Sequence, residues 1–139
     1  MKVFFDTNVL VYVFDRKAPQ KRDLARALLM RHAGDGDILL STQVLQEFYV
    51  TVTRKLTPTL SLDDAERTVA SYAEFPTVHI DNRLILAAIR RSQASKLSFW
   101  DGLIVQAALA GGASVLYSED LQHGQMFDGL TVTDPFKTT

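Results

Sequence analysis

The sequence predicts an α/β protein, a three-layer α/β/α sandwich around a parallel sheet of four to five strands. Short apolar runs rich in strand formers alternate along the chain with stretches whose apolar residues recur at helical spacing. Strands separated by helices pair in parallel beneath helices on both faces, and right-handed crossovers then give three layers. Acidic residues also stand just beyond several of the strand-like runs. That is the carboxyl edge, where sheets of this kind carry their sites.

Lys2-Val3-Phe4-Phe5 is the first strand, stopped by the turn and cap residues Asp6-Thr7-Asn8. Residues 9–14 read as a short helical turn. Pro19 opens a helix to about residue 33, with Leu24, Ala27, Leu28 and Leu29 as its apolar stripe and Lys21, Arg22 and Arg26 on its polar face. Gly34-Asp35-Gly36 ends it. Ile38-Leu39-Leu40 is a buried strand, after which Ser41 or Thr42 caps a helix with Val44, Leu45, Phe48, Val52 and Leu56 at helical spacing. Pro58 marks its end or a break, and Ser61-Leu62-Asp63-Asp64 opens the next helix. Residues 77–80 form a third strand, and Asp81 caps a helix through about residue 95. Ser98 caps another, with Trp100, Leu103, Ile104, Ala107 and Ala108 on one face and Gly111-Gly112 as its stop. Residues 114–117 are a fourth strand and 130–132 a fifth.

No repeat or low-complexity tract divides the 139 residues, and they read as one domain, 1–139. The absence of cysteine excludes a disulfide scaffold, a zinc–thiolate site and a thiol nucleophile. No signal peptide and no run of about 20 apolar residues is visible, so a cytoplasmic protein that does not enter a membrane is expected. The net charge of −1 excludes binding of nucleic acid by bulk charge. Local basic patches or a bound cation would have to do that work. Arg16, Lys17, Lys21, Arg22 and Arg26 form one basic stretch, readable as a solvated helix face or as a phosphate-backbone contact.

Four acids fall at one edge of the expected sheet. Asp6 follows the first strand, and Asp120 comes three residues after Tyr117. Glu47 lies early in the helix after the second strand, and Asp101 lies in the first turn of the Ser98 helix. Glu47 and Asp101 sit beside apolar stripes, which is costly for a carboxylate unless it is paired or binds a cation. Converging carboxylates repel and raise one another's pKa, a problem that a hard divalent ion such as Mg²⁺ or Mn²⁺ removes. Singly, each acid also reads as a cap, a dipole partner or a solvated residue. His32, His79 and His123 show no metal spacing and read as surface or partly packed residues, and Trp100 reads as core.

Asp6-Thr7-Asn8 with Leu10 and Tyr12 following, Gln46-Glu47-Phe48-Tyr49, Ser98-Phe99-Trp100-Asp101-Gly102, the segment from Tyr117 to Gly124 and the closing Asp134-Pro135-Phe136 together resemble the PIN-domain family. They are similar in particular to VapC-type toxins of bacterial toxin–antitoxin pairs. The resemblance spans essentially the whole chain. It implies a PIN-like fold and an Mg²⁺- or Mn²⁺-dependent endoribonuclease with Asp6, Glu47, Asp101 and Asp120 as its acids. Asp120 is taken over the adjacent Glu119 because the family places its acid two residues after a Ser or Thr, here Ser118. Asp6 and Asp101 are expected to hold the main ion, with Glu47 and Asp120 acting through water or on a second ion. Thr7, Asn8 and Ser118 are placed to orient those ligands. The resemblance further implies an RNA substrate, a homodimer, and a small antitoxin covering the acidic site. Three other readings stay open: an aspartate-nucleophile phosphatase, a receiver-like signalling domain, and a catalytically inactive RNA-binding or scaffold domain.

Overall fold

A computed structural model describes residues 1–137. The chain runs β1 (Val3–Phe5), α1 (Thr7–Tyr12), α2 (Pro19–Asp35), β2 (Ile38–Ser41), α3 (Thr42–Arg54), α4 (Leu62–Tyr72), β3 (Thr77–Val78), α5 (Asn82–Ser95), α6 (Phe99–Ala110), β4 (Val115–Tyr117), β5 (Met126–Phe127) and β6 (Leu130–Thr133). The sheet order is β3-β2-β1-β4-β6-β5, and every neighbouring pair is parallel except β5 with β6. It is therefore a mostly parallel sheet flanked by helices, as expected, with six strands where the sequence reads four or five. The additional strand is β5, folded back on β6 through Asp128 and Gly129 at φ of 47° and 92°. Both φ values are positive, as a tight hairpin between twisted strands requires, and an Asp-Gly pair supplies them.

Capping sets the helix starts. The Ser41, Ser61, Asp81 and Ser98 side chains each accept a hydrogen bond from the third amide of α3, α4, α5 and α6 respectively. Ser41 is the α3 cap; the Thr42 hydroxyl instead accepts from the Ile80 amide and ties β2 to the end of β3. Gly36 closes α2 in the left-handed conformation that glycine adopts freely.

Val3, Phe4 and Phe5 are all fully buried, as a central strand covered on both faces must be. They join Leu10, Leu40, Val44, Phe48, Leu116 and Leu130 in one core cluster. The chain steps outward from β1 to β3, then returns across the sheet to β4. With right-handed crossovers, that reversal puts the α5–α6 pair on the face opposite α2 and α3. It also opens a crevice at the carboxyl ends of β1 and β4, where strand order reverses.

Three packing expectations are corrected. The buried residues of α2 are Ala25 and His32, while Leu24 is exposed. His32, read from sequence as a surface or partly packed residue, is 1% exposed. Its two ring nitrogens meet Asp37 at 2.9 Å and the Tyr117 hydroxyl at 3.1 Å, which anchors the end of α2 to β4. Trp100, read as core, is 62% exposed.

Candidate active site

Asp6 is the residue at which β1 becomes α1. Its amide still donates to the Tyr117 carbonyl of β4 at 2.9 Å, while its side chain caps α1, accepting from the Thr7 amide at 2.7 Å. The other carboxylate oxygen accepts from the Ser118 hydroxyl at 2.8 Å. Asp6 is only 5% exposed. Burial pushes its carboxyl from 3.8 up to about 7; the Ser118 and Thr7 hydrogen bonds pull it down, and the charges of Asp120 and Glu47 push it further up.

Ser118, fully buried just past β4, is the hub of the next contacts. Its oxygen also accepts from the Asp120 amide at 3.1 Å, closing a turn that aims Asp120 back over β1. Asn8 fastens the same loop, accepting from the Glu119 amide at 3.1 Å and donating to Asp120 Oδ2 at 3.2 Å. Glu47, on α3, accepts from the Thr7 hydroxyl at 2.8 Å. Asp101 sits in the first turn of α6, its amide held by the Ser98 hydroxyl at 3.1 Å. Burial raises its carboxyl above the usual range, and the charge of Asp120 raises it further. Asp120 thus acts electrostatically on both Asp6 and Asp101, and Glu47 acts on Asp6. The four acids predicted from sequence share one rim of the sheet, and Thr7, Asn8 and Ser118 are the side chains that link three of them.

Glu119 faces elsewhere. Its carboxylate takes the Tyr12 hydroxyl at 2.7 Å and an ion pair from Lys21, whose ammonium also lies over the Tyr12 and Phe136 rings. These contacts hold it below its ordinary pKa, against the opposing effect of burial. Among the described residues, no Lys, Arg or His forms an ion pair with Asp6, Glu47, Asp101 or Asp120. Sequence reasoning missed two participants: Lys21, which removes Glu119 from the group, and Gln43, which donates to Glu47 Oε2 at 3.4 Å.

The donor set is all carboxylate oxygen with amide and hydroxyl support, which suits a hard divalent ion and excludes a soft one. Among the described residues, no three of these acids bring ligand oxygens within 4.8 Å of one another; the one group that does is His32, Asp35 and Asp37. The wider spacing at the rim fits an ion that keeps several of its waters, as Mg²⁺ does. The His32 group lies at the other end of β2, and its imidazole is committed to Asp37 and Tyr117. A groove of about 690 Å³ runs from Glu47 and Asp120 between α1 and α3, past Val11, Tyr12 and Val50, to Lys55.

The PIN domain family model matches residues 3–126. No curated protein matches the sequence significantly. Solved structures do match in fold. A toxin–antitoxin complex from Klebsiella pneumoniae superposes with a TM-score of 0.73 at 20% identity, over 99% of this chain and 100% of that one. Mycobacterium tuberculosis VapC20, described as a toxin that cleaves the sarcin-ricin loop, gives 0.62 at 18% identity over 86% and 90%. A DNA-bound VapBC from Salmonella typhimurium gives 0.66 at 17% identity over 97% and 98%.

Proposed function

Because the chain belongs to the PIN domain family, we propose that it is a metal-dependent endoribonuclease and the toxin of a toxin–antitoxin pair. The observation that carries the nuclease reading is the convergence of Asp6, Glu47, Asp101 and Asp120 from four separate stretches of chain with no cationic side chain among the described residues to neutralise them. Mutual repulsion between such groups needs a compensating charge.

Asp6 and Asp101 would hold Mg²⁺ or Mn²⁺, with Glu47 and Asp120 contacting it through water or holding a second ion. When bound, the ion acidifies water and offsets charge developing on a phosphodiester. The chain's own part is positional. Ser118 and the Thr7 amide fix the Asp6 oxygens, the Thr7 hydroxyl fixes Glu47, and Asn8 fixes Asp120. With water as the attacking group, the products carry a 5′-phosphate and a 3′-hydroxyl.

The groove beside the acids suits the antitoxin. Its apolar Val11 and Val50 can take the side chains of an amphipathic segment, and Glu47 and Asp120 at its end can take a guanidinium. Solved neighbours that are toxin–antitoxin complexes support such a partner. A homodimer is part of the same reading. Incubation of the protein with a structured RNA tests the activity: cleavage lost in EDTA, restored by Mn²⁺ and leaving 5′-phosphate ends is expected. Cleavage that persists in EDTA, or that leaves 2′,3′-cyclic phosphate, contradicts it.

A further inference from the structure

Gln43 lies in the first turn of α3, four residues before Glu47, and is 4% exposed. Its Nε2 donates to Glu47 Oε2 at 3.4 Å and to the Trp100 carbonyl at 3.3 Å. Trp100 directly precedes Asp101. One buried amide therefore spans the two helices that carry Glu47 and Asp101. The Thr7 hydroxyl holds the other Glu47 oxygen, so both oxygens of that carboxylate are gripped by neutral donors that leave its charge available.

The grip has a cost. Gln43 Oε1 is buried with no hydrogen-bond partner among the described residues. Turning the amide over would place that oxygen against two acceptors, Glu47 and the Trp100 carbonyl, so the network itself fixes the orientation. A buried carbonyl left unsatisfied destabilises the fold, whereas Met or Leu would fill the same space with no buried polar atom of its own, leaving only the half-buried Glu47 and the exposed Trp100 without this donor. Stability alone therefore does not account for a glutamine at this position.

We propose that Gln43 is a positioning residue that fixes the Glu47 oxygens, and their spacing from Asp101, for a divalent cation. The inference rests on the metal-nuclease reading above. Gln43 touches neither substrate nor ion; it acts through Glu47.

The test compares Gln43→Met and Gln43→Leu with the parent, each also in a Glu47→Gln background. Thermal unfolding is measured on metal-free protein, and Mn²⁺ affinity is measured with the metal alone, without RNA. The expected result is an unfolding temperature equal to or above the parent's, with Mn²⁺ binding roughly 10- to 100-fold weaker. In the Glu47→Gln background that loss disappears, because the residue through which Gln43 acts is already disabled. Parental Mn²⁺ affinity in a folded Gln43→Met protein overturns the proposal. So does an undiminished loss in the Glu47→Gln background, and so does failure of both variants to fold, which would make Gln43 part of the framework. A parent that binds no Mn²⁺ sinks the metal reading and this role together. A parent that binds it while the variants bind equally well sinks only the role of Gln43.

Discussion

Asp6 ends a strand, caps a helix and faces the other acids at once, and its raised pKa makes that conflict measurable. A carboxyl at about 7 in the folded chain and 3.8 when free holds a proton, between those values, that the unfolded chain releases. The metal-free protein therefore loses stability as pH rises from about 4 to about 7, by an amount on the order of a few kcal/mol from this group. Asp6→Asn should abolish Mn²⁺ binding yet raise the metal-free unfolding temperature, with a gain over the parent that grows across this pH window. A gain independent of pH would show that Asp6 is not the titrating group. Saturating Mn²⁺ should remove the parent's decline, because ion binding favours the ionised form.

The choice between Glu119 and Asp120 belongs to the same scale. The sequence places them side by side, and only the spacing of Asp120 from Ser118 separates them locally. What separates them is Lys21, 98 residues away, together with Tyr12. We expect Asp120→Asn to cut RNA cleavage at least about 100-fold, and Glu119→Gln by less than about 10-fold, in initial-rate assays at saturating Mn²⁺. The reverse ranking would mean that the loop presents the other acid. Asp6 and Glu47 were legible because each lies a short distance past a strand, and Asp101 because it stands in the first turn of a serine-capped helix beside an apolar stripe. Gln43 was not, since its significance lies in a contact with the Trp100 carbonyl 57 residues away.

At the scale of elements, strands and caps were legible and helix faces less so. Serine and aspartate at Ser41, Ser61, Asp81 and Ser98 announce helix starts through a local hydrogen bond. The α6 sequence, by contrast, is apolar around most of its circumference, with Gly102 to Val105 all buried. Periodicity then cannot pick out the one exposed aromatic, Trp100. On α2, His32 is buried by partners on β4 and before β2 that no local pattern foretells. The α5–α6 contact is close enough that a Cβ on Gly102 would lie 2.9 Å from the Ala88 carbonyl oxygen, a backbone atom with little room to yield. Gly102→Ala should therefore destabilise the protein by up to about 2 kcal/mol, overpacking outweighing the helix-propensity gain of about 1. Chemical denaturation reads this directly, and a stabilised variant would show that the two helices separate easily.

For the whole molecule, strand order does most to place the site. The reversal at β1 and β4 brings residues 6 and 120 together; the alternation of strands and helices foretold a site at the carboxyl edge of the sheet, but not this strand order. The sixth strand did not follow, because two residues paired across an Asp-Gly turn are too short to register as an apolar run. A net charge of −1 leaves RNA attraction to local patches. Of the basic stretch, Lys21 and Arg22 form ion pairs with Glu119 and Asp23, and Arg26 donates to the Val13 carbonyl. The exposed Arg16 and Lys17 form no ion pair among the described residues. Replacing both with Gln should weaken RNA binding and shallow its salt dependence by about two ions while leaving Mn²⁺ affinity intact. An unchanged salt slope would place the RNA elsewhere.

Mn²⁺ titration of the metal-free chain, followed by calorimetry and by fluorescence of its single tryptophan beside Asp101, reaches the central claim with the fewest intervening steps. Saturable binding to the parent, lost in both Asp6→Asn and Asp101→Asn while each remains folded, is the predicted result. Equal binding by parent and both variants, or none by any of them, would contradict the account.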